Sequence, residues 1–383
     1  MAIENNHKKR LLFVNLRGVM AGAEASLVSL VSGLADGYDI EVACPFKSAL
    51  SREMSRLGLR CHGISAPKSR SYFSPMWLFE WLKANWCLSR IIVQIKPHVV
   101  CANNIYAATI SVLPTLIFRK KLVLHCRDFS RFGLVTRTCS LFAEKVIAVS
   151  YSIREYLVKQ DVNVQKIEVV YNGVDIKQSG KLRFKTALMQ SQSLNERQSF
   201  CFANIGQFVP WKKQVNFVEA AVRVSDEMSN CEFLIVGDDL LGWNSKYKKT
   251  LLDKINNAPV RDRVRLSGWQ SDLSGIWQKT DCLVHTAERE PFGRIIIEAM
   301  ANHIPVIAIN TCGPREIIEN DVTGILVPPG DTEKLTEAML KITRDHELVR
   351  QLTEAAYERV ILDFNAARTG RQIKRIYDRI LVA

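Results

Sequence analysis

The stretch "RLLFVNLRGVMAGAEASL", residues 10–27, decides the fold class. It opens on an apolar run, Leu11 to Val14, that is short for a helix and suits a buried strand. A turn of small residues follows, from Gly18 to Gly22. Leu27, Leu30, Val31 and Leu34 then recur at helical spacing, and "YDIEVAC" (38–44) alternates as a second strand. Strand, tight turn, helix and strand make one repeat of a parallel sheet. The same stretch imitates a secretory leader, with basic residues, an apolar core and small residues. Asn15 and Arg17 interrupt that core, so a first strand is the better reading.

Outward from there the theme repeats. "HVVCAN" (98–103), "KLVLHC" (121–126) and "KVIAVS" (145–150) are strand-sized runs with helical segments between them. A second series starts afresh with "SFCFANIG" (199–206) and continues through "EFLIVGDD", "RVRLSG", "DCLVHTA", "PVIAIN" and "GILVPP". The segment between the two series is polar and weakly periodic, and it begins at the turn signal Asn172-Gly173. The prediction is an α/β chain of two doubly wound domains, at 1–173 and 199–365, with a hinge at 174–198. A closing helix, 366–383, carries Ile373, Ile376, Tyr377 and Ile380 on one side; it packs either on the first domain or on its own. Ligands of such folds bind at the carboxyl ends of the strands, and a cleft between two such domains is the expected site.

The bulk numbers agree. The chain has 383 residues, 47 % hydrophobic and 24 % charged, which suits two ordinary globular domains. Ten cysteines are scattered without a Cys-x-x-Cys pair, and several sit in apolar runs, as expected of small buried hydrophobes in a reducing compartment. "IYAATISVLPTLIF" (105–118) is too short to span a bilayer and contains Pro114. The net charge of +13 is uneven: residues 1–180 hold 24 Lys+Arg against 13 Asp+Glu, the remainder 28 against 26. A basic first half points to nucleic acid, an anionic membrane surface or an acidic substrate. Nucleic acid is the weakest of these, because no recognition motif accompanies the charge. The stretch 69–90 interleaves aromatic and basic residues as an interfacial helix does. Trp77, Trp81, Leu88, Ile92 and Ile95 equally fit a core-facing stripe.

Several constellations carry chemistry. In "EREPFGRIIIEAM" (288–300), Glu290 and Glu298 lie eight residues apart, too far to be helical neighbours. A helix starting near Gly293 would put Glu290 in the preceding loop, Glu298 on the second turn, and free amides facing an anion. The isoleucine run reads equally well as a buried strand. Lys212 and Lys213 precede a helix after the strand that ends at Gly206, a setting that suits a diphosphate or two solvated lysines. Gly22 lies in a turn that would admit a phosphate. His125 ends a strand beside Arg127 and Asp128, as a site residue or a satisfied core histidine.

Together these segments resemble the retaining glycosyltransferases of family GT4, which have the GT-B fold: two Rossmann-like domains facing across a cleft. "EPFGRIIIEAM" is similar to that family's E-x7-E motif, "GQFVPWKKQ" to its lysine-bearing donor segment, "AGAE" to its GGAE loop and "YNGVD" to its hinge entry. The resemblance spans nearly the whole chain and is strongest over 200–335. It implies that Glu290 binds the donor sugar's hydroxyls and Glu298 the nucleotide ribose. Phe292 and Gly293 would offer backbone amides, Lys212 would neutralise the leaving diphosphate, and Gly22 would face that diphosphate. His125 would stand near the sugar, with Gly268 and Trp269 near the base. The catalytic group implied is Lys212, Glu290 and His125, with no cofactor and no metal. Three positions depart from the pattern: Ala21 replaces a glycine, Gln207 an arginine and Lys213 a glycine. Arg294 stands where it would compensate for Gln207.

The expectation is an enzyme of the hexosyltransferase type. It would move a sugar from a nucleotide-diphosphate sugar to a glycan acceptor, a lipid-linked one, in cell-surface polysaccharide biosynthesis (lipopolysaccharide, O-antigen, capsule or exopolysaccharide). It would be cytoplasmic, peripheral on the inner face of the plasma membrane, and would touch anionic lipid through its basic first domain. Two alternatives stay open: a soluble synthase of the same family acting on a small sugar or sugar phosphate, and a non-catalytic glycan-binding subunit.

Overall fold

The computed structural model describes residues 8–67, 74–129, 133–176 and 199–382. The expected hinge falls outside them from 177 to 198, as do residues 69–73 of the aromatic stretch. The chain divides into two compact units, Met1–Gly173 with Ala366–Ala383, and Val174–Asn365.

The first unit holds a seven-stranded sheet. Its strands are β1 (Arg10–Val14), β2 (Asp39–Cys44), β3 (Arg60–Gly63), β4 (Val99–Ala102), β5 (Lys121–Cys126), β6 (Lys145–Ala148) and β7 (Ile167–Val169), in the order β3-β2-β1-β4-β5-β6-β7. Every pairing is parallel. Leu11, Leu12, Phe13 and Val14 are all fully buried, which is why β1 reads as a continuous apolar run and not as an alternation. The interposed helices are α1 (Gly22–Leu34), α2 (Ala49–Arg56), α3 (Pro75–Ile95), α4 (Ile105–Ile117), α5 (Gly133–Leu141) and α6 (Tyr151–Val158).

α3 shows how local chemistry sets an element's ends. The Ser74 hydroxyl accepts from the Trp77 amide, Pro75 takes the first helical position, and Lys96 closes the helix in the left-handed conformation. Its inward stripe is the one expected, with Leu88, Ile92 and Ile95 buried and Trp77 and Trp81 half-buried and stacked.

The helix Ala366–Val382 belongs to this first unit and packs on α1. The two glycines allow the approach: a Cβ on Gly370 would come within 3.1 Å of the Gly33 carbonyl oxygen. Ile373, Ile376, Tyr377 and Ile380 enter the core, and the Tyr38 hydroxyl donates to Asp378 at 2.6 Å.

The second unit repeats the architecture with six strands. They are β8 (Phe200–Ile205), β9 (Cys231–Val236), β10 (Val264–Leu266), β11 (Cys282–His285), β12 (Val306–Ile309) and β13 (Ile325–Val327), ordered β10-β9-β8-β11-β12-β13 and again parallel. Phe202, Phe217 and Phe233 form the centre of its core.

Candidate active site

The order of the second sheet reverses between β8 and β11. β8 runs on toward β9 on one side, while β11 continues to β12 on the other, so the loops leaving these two strands diverge and open a crevice at their carboxyl ends. Those two loops carry Lys212 and Glu290. Lys212 closes a short 3-10 turn, Pro210–Lys212, and its stem lies over Gly206, whose ideal Cβ would sit 3.4 Å from Lys212 Cδ. Glu290 lies in the loop after β11, before the helix Arg294–Ala301. The Lys212 ammonium donates to Glu290 Oε2 at 2.5 Å, with both side chains largely buried. Burial by itself would raise the Glu290 pKa. The charge of Lys212, helped by His285, overrides it and holds the carboxyl well below the usual range.

Backbone ties make this pair rigid. Asn204, inside β8, donates to the Val284 carbonyl at 2.7 Å and to the Thr286 hydroxyl at 3.0 Å. Thr286 in turn donates to the Lys212 carbonyl at 2.8 Å, and the Glu288 amide to the Trp211 carbonyl at 3.0 Å. His285 ends β11 with its Nε2 3.3 Å from Glu290 Oε2, though not aligned as a hydrogen bond. Burial, then Lys212, pushes the His285 pKa down. Asn204, His285 and Thr286 were not singled out from the sequence. Their signal was there: each is a polar residue at the carboxyl end of an apolar run.

The helix after Gly293 starts as expected. Gly293 caps it at φ +103°, a left-handed value that favours glycine, and Glu298 lies on its second turn. With Gly293 as the cap, the first-turn amides of this helix have no intrahelical partners. The Arg294 Nε donates to Glu298 Oε1 at 2.6 Å. Arg294 Nη1 is buried without a partner among the described residues, an unmet donor beside the crevice. Gly313 closes in behind the loop: its amide donates to the Glu290 carbonyl at 3.0 Å, and a Cβ there would overlap the Phe292 carbonyl oxygen at 2.2 Å.

The remaining expected residues of this unit lie on the same edge. Gln207 follows Gly206, and its carbonyl accepts from Gln214. Lys213 has φ +51° and sits 3.4 Å from Glu288. A lysine in that conformation shows why a glycine suits the position. Gly268, at φ +63°, and half-buried Trp269 follow β10, two strands away from the switch point.

In the first unit, Gly22 opens α1, and nothing lies within 4 Å of where its Cβ would be. His125 lies in the same unit. It ends β5 as expected, but it is 2 % exposed and shares a 2.8 Å hydrogen bond with the Tyr377 hydroxyl of the C-terminal helix. Burial, then the charge of Arg127, drives its pKa well below the ordinary value. As a neutral ring packed against Phe13 and Tyr377, it joins sheet to helix, and it lines a small cavity with Arg127 and Asn172. Beside it at the strand mouth stands Arg127. Its guanidinium donates to Asn103 at 2.8 Å and Asn172 at 2.7 Å, and Asn103 donates to Asn15 at 2.9 Å. This network crosses the first sheet's own reversal, between β1 and β4.

Among the described residues, no group of His, Cys, Asp and Glu is placed to hold a metal ion, and no helix is long and apolar enough to cross a membrane.

The profile of the family described as Glycosyl transferases group 1 matches residues 185–359, and that of Glycosyltransferase Family 4 matches residues 20–178. The chain is 28 % identical over 295 residues to N-acetyl-alpha-D-glucosaminyl L-malate synthase of Bacillus anthracis, covering 74 % of this chain and 73 % of that enzyme. It is 26 % identical over 256 residues to the Escherichia coli UDP-Gal:alpha-D-GlcNAc-diphosphoundecaprenol alpha-1,3-galactosyltransferase, covering 65 % of each, just under two thirds of that relative. In fold it is similar to the crystal structure of Anabaena HepE in complex with UDP-glucose, with a TM-score of 0.82 and 22 % identity over 97 % of this chain and 99 % of that one.

Proposed function

We propose that this chain, a glycosyltransferase of the GT-B fold, moves a hexose from a nucleotide-diphosphate donor, with retention, onto a lipid-linked glycan in cell-surface polysaccharide biosynthesis. It would act at the cytoplasmic face of the membrane. The observation that carries the reading is the largely buried Lys212–Glu290 pair at the switch point of the second unit. Without donor, the two charges satisfy each other. With donor, the diphosphate takes the Lys212 ammonium, and Glu290 is released to accept from sugar hydroxyls. As the bond to the anomeric carbon breaks, negative charge grows on the leaving diphosphate. Lys212 and the helix start at Gly293 would face that charge. Front-face attack by the acceptor hydroxyl, whose proton passes to the departing diphosphate oxygen, then needs no protein nucleophile, and the reading uses no metal ion or other cofactor.

Glu298 takes the ribose hydroxyls, with Arg294 turning its unmet Nη1 toward the diphosphate in place of an arginine at Gln207. Gly268 and Trp269 flank the base. A nucleotide sugar is bound in the Anabaena structure and named in the Escherichia coli relative. The lipid-linked acceptor is supported by that relative's diphosphoundecaprenol substrate. A second reading, a small acidic acceptor, is favoured by the malate-using relative and by the basic first half of the chain. The non-catalytic alternative falls, because the chain is a glycosyltransferase.

The test is a donor panel. Purified protein is incubated with UDP-, GDP- and ADP-sugars, with lipid extracts or small hydroxy acids, and released nucleoside diphosphate is recorded beside Glu290→Ala, Lys212→Ala and Glu298→Ala. Release from one donor, abolished in the first two variants and weakened through KM in the third, supports the site. NMR of the product's anomeric proton reads retention directly. Release that survives in Glu290→Ala would refute the assignment.

A further inference from the structure

We propose that the outer side of α3, with those of α4 and α5, is a docking surface for an anionic lipid bilayer. This rests on the reading that the enzyme works at a membrane, and it names the surface that does so. α3 is apolar on both sides. Its inner side buries Ala84, Leu88, Ile91 and Ile92 against its own domain. Its outer side presents Phe79, 65 % exposed, Trp86, 61 % exposed, and also Leu82 and Val93. A helix apolar all round is normally covered all round. Here, among the described residues, the outer half is left uncovered. The neighbouring helices add to the same layer: Leu116 and Ile117 are exposed on α4, and Leu134 and Leu141 on α5. Scattered exposed hydrophobics need no explanation, but three successive helices that pack side by side and all expose them do.

The charges select the occupant. Residues 75–141 contain nine Lys+Arg and two Asp+Glu. Lys83 and Arg90 lie on the outer side of α3, with the Arg90 guanidinium 4.9 Å from the centre of the Trp86 ring. Arg119 follows α4, and Arg137 is on the exposed side of α5. Glu80, the single acidic residue of α3, is half-buried. Aromatic and aliphatic side chains among cations, without exposed acids on the helix, match an interface of acyl chains and anionic headgroups. A second copy fits less well. A two-fold dimer apposes identical patches, so Lys83, Arg90 and Arg137 of each copy would meet those of the other.

The experiment is vesicle flotation with the full chain, using phosphatidylcholine vesicles with and without phosphatidylglycerol. The variants are Phe79→Ser/Trp86→Ser and the charge reversal Lys83→Glu/Arg90→Glu, with donor hydrolysis in solution as the control. The expected result is binding that requires phosphatidylglycerol and weakens in salt. It should fall about fivefold per cation lost and on the order of tenfold per apolar side chain lost, while hydrolysis is unchanged. The reversal changes only exposed side chains, so it decides the matter if the serine variant misfolds. Binding that is equal in the charge reversal and the wild type overturns the surface. No binding of the wild type to either vesicle removes the membrane reading itself. A dimer by light scattering that the reversal alters, with no vesicle binding, assigns the face to a second copy and also overturns the proposal.

Discussion

Replacing Lys212 with methionine tests the site most sharply. The stem is kept and the charge removed, so Glu290 loses the cation 2.5 Å away while its side chain stays largely buried. Burial, opposed in the wild type mainly by Lys212, is then opposed only by His285, and the Glu290 pKa should rise above its unfolded value instead of lying below it. The sign follows. In the wild type the depressed pKa gives stability that is present above the unfolded value and lost only as pH falls through the folded one. In Lys212→Met the raised pKa gives a penalty that grows as pH rises from the unfolded value through the folded one. Breaking a fully buried pair costs about 3–5 kcal/mol. With side chains 18 % and 13 % exposed, solvent reduces this to roughly 2–3 kcal/mol at pH 8. Thermal unfolding at pH 5 and pH 8 reads the difference, and the gap to wild type should narrow at pH 5. Transfer should fall about a hundredfold to a thousandfold in kcat, as when one preorganised electrostatic group is removed. The double variant Lys212→Met/Glu290→Gln should regain much of the stability, because no buried charge is left alone, but not the activity. A stability loss that is equal at both pH values, or an unchanged kcat, would refute the reasoning.

Three further outcomes are expected. Gly313→Ala should displace the Phe292 carbonyl, 2.2 Å from the new methyl. Its donor KM should therefore rise and its melting temperature fall, by about 1–3 kcal/mol of stability as in other overpacked sites. Lys213→Gly relieves a left-handed φ of +51° at the cost of an exposed ion pair, and denaturant titration should show it neutral or more stable by up to about 1 kcal/mol. His285 is buried neutral with its pKa pushed down, so in the wild type it costs stability as pH falls below its unfolded value. His285→Leu should therefore flatten the decline of stability between about pH 6.5 and 5, leaving the part due to His125. An unchanged slope would show that His285 does not titrate on unfolding.

Much of the fold was legible because periodicity is local. The run Leu11–Val14 and the spacing of Leu27, Leu30, Val31 and Leu34 needed no knowledge of distant residues. The loop position of Glu290 and the helical position of Glu298 were one of two readings, and the left-handed Gly293 that caps the helix decided between them. Other readings were ambiguous for a physical reason. A histidine at a strand end is catalytic or structural according to what faces it. His125 faces Tyr377, which lies 252 residues later in sequence.

The sequence by itself therefore determined the alternation of strands and helices, the two-part organisation and the loops that bear Lys212 and Glu290. Tertiary structure decided which strands pair. β8 and β11 are neighbours across some 80 residues of chain, and only that pairing creates the reversal at which Lys212 meets Glu290. It also decided that the last helix belongs to the first unit, and that α3 keeps an apolar side in solvent. Local propensity acts over a few residues. Burial and charge pairing are settled by whichever distant segments the packed core brings together.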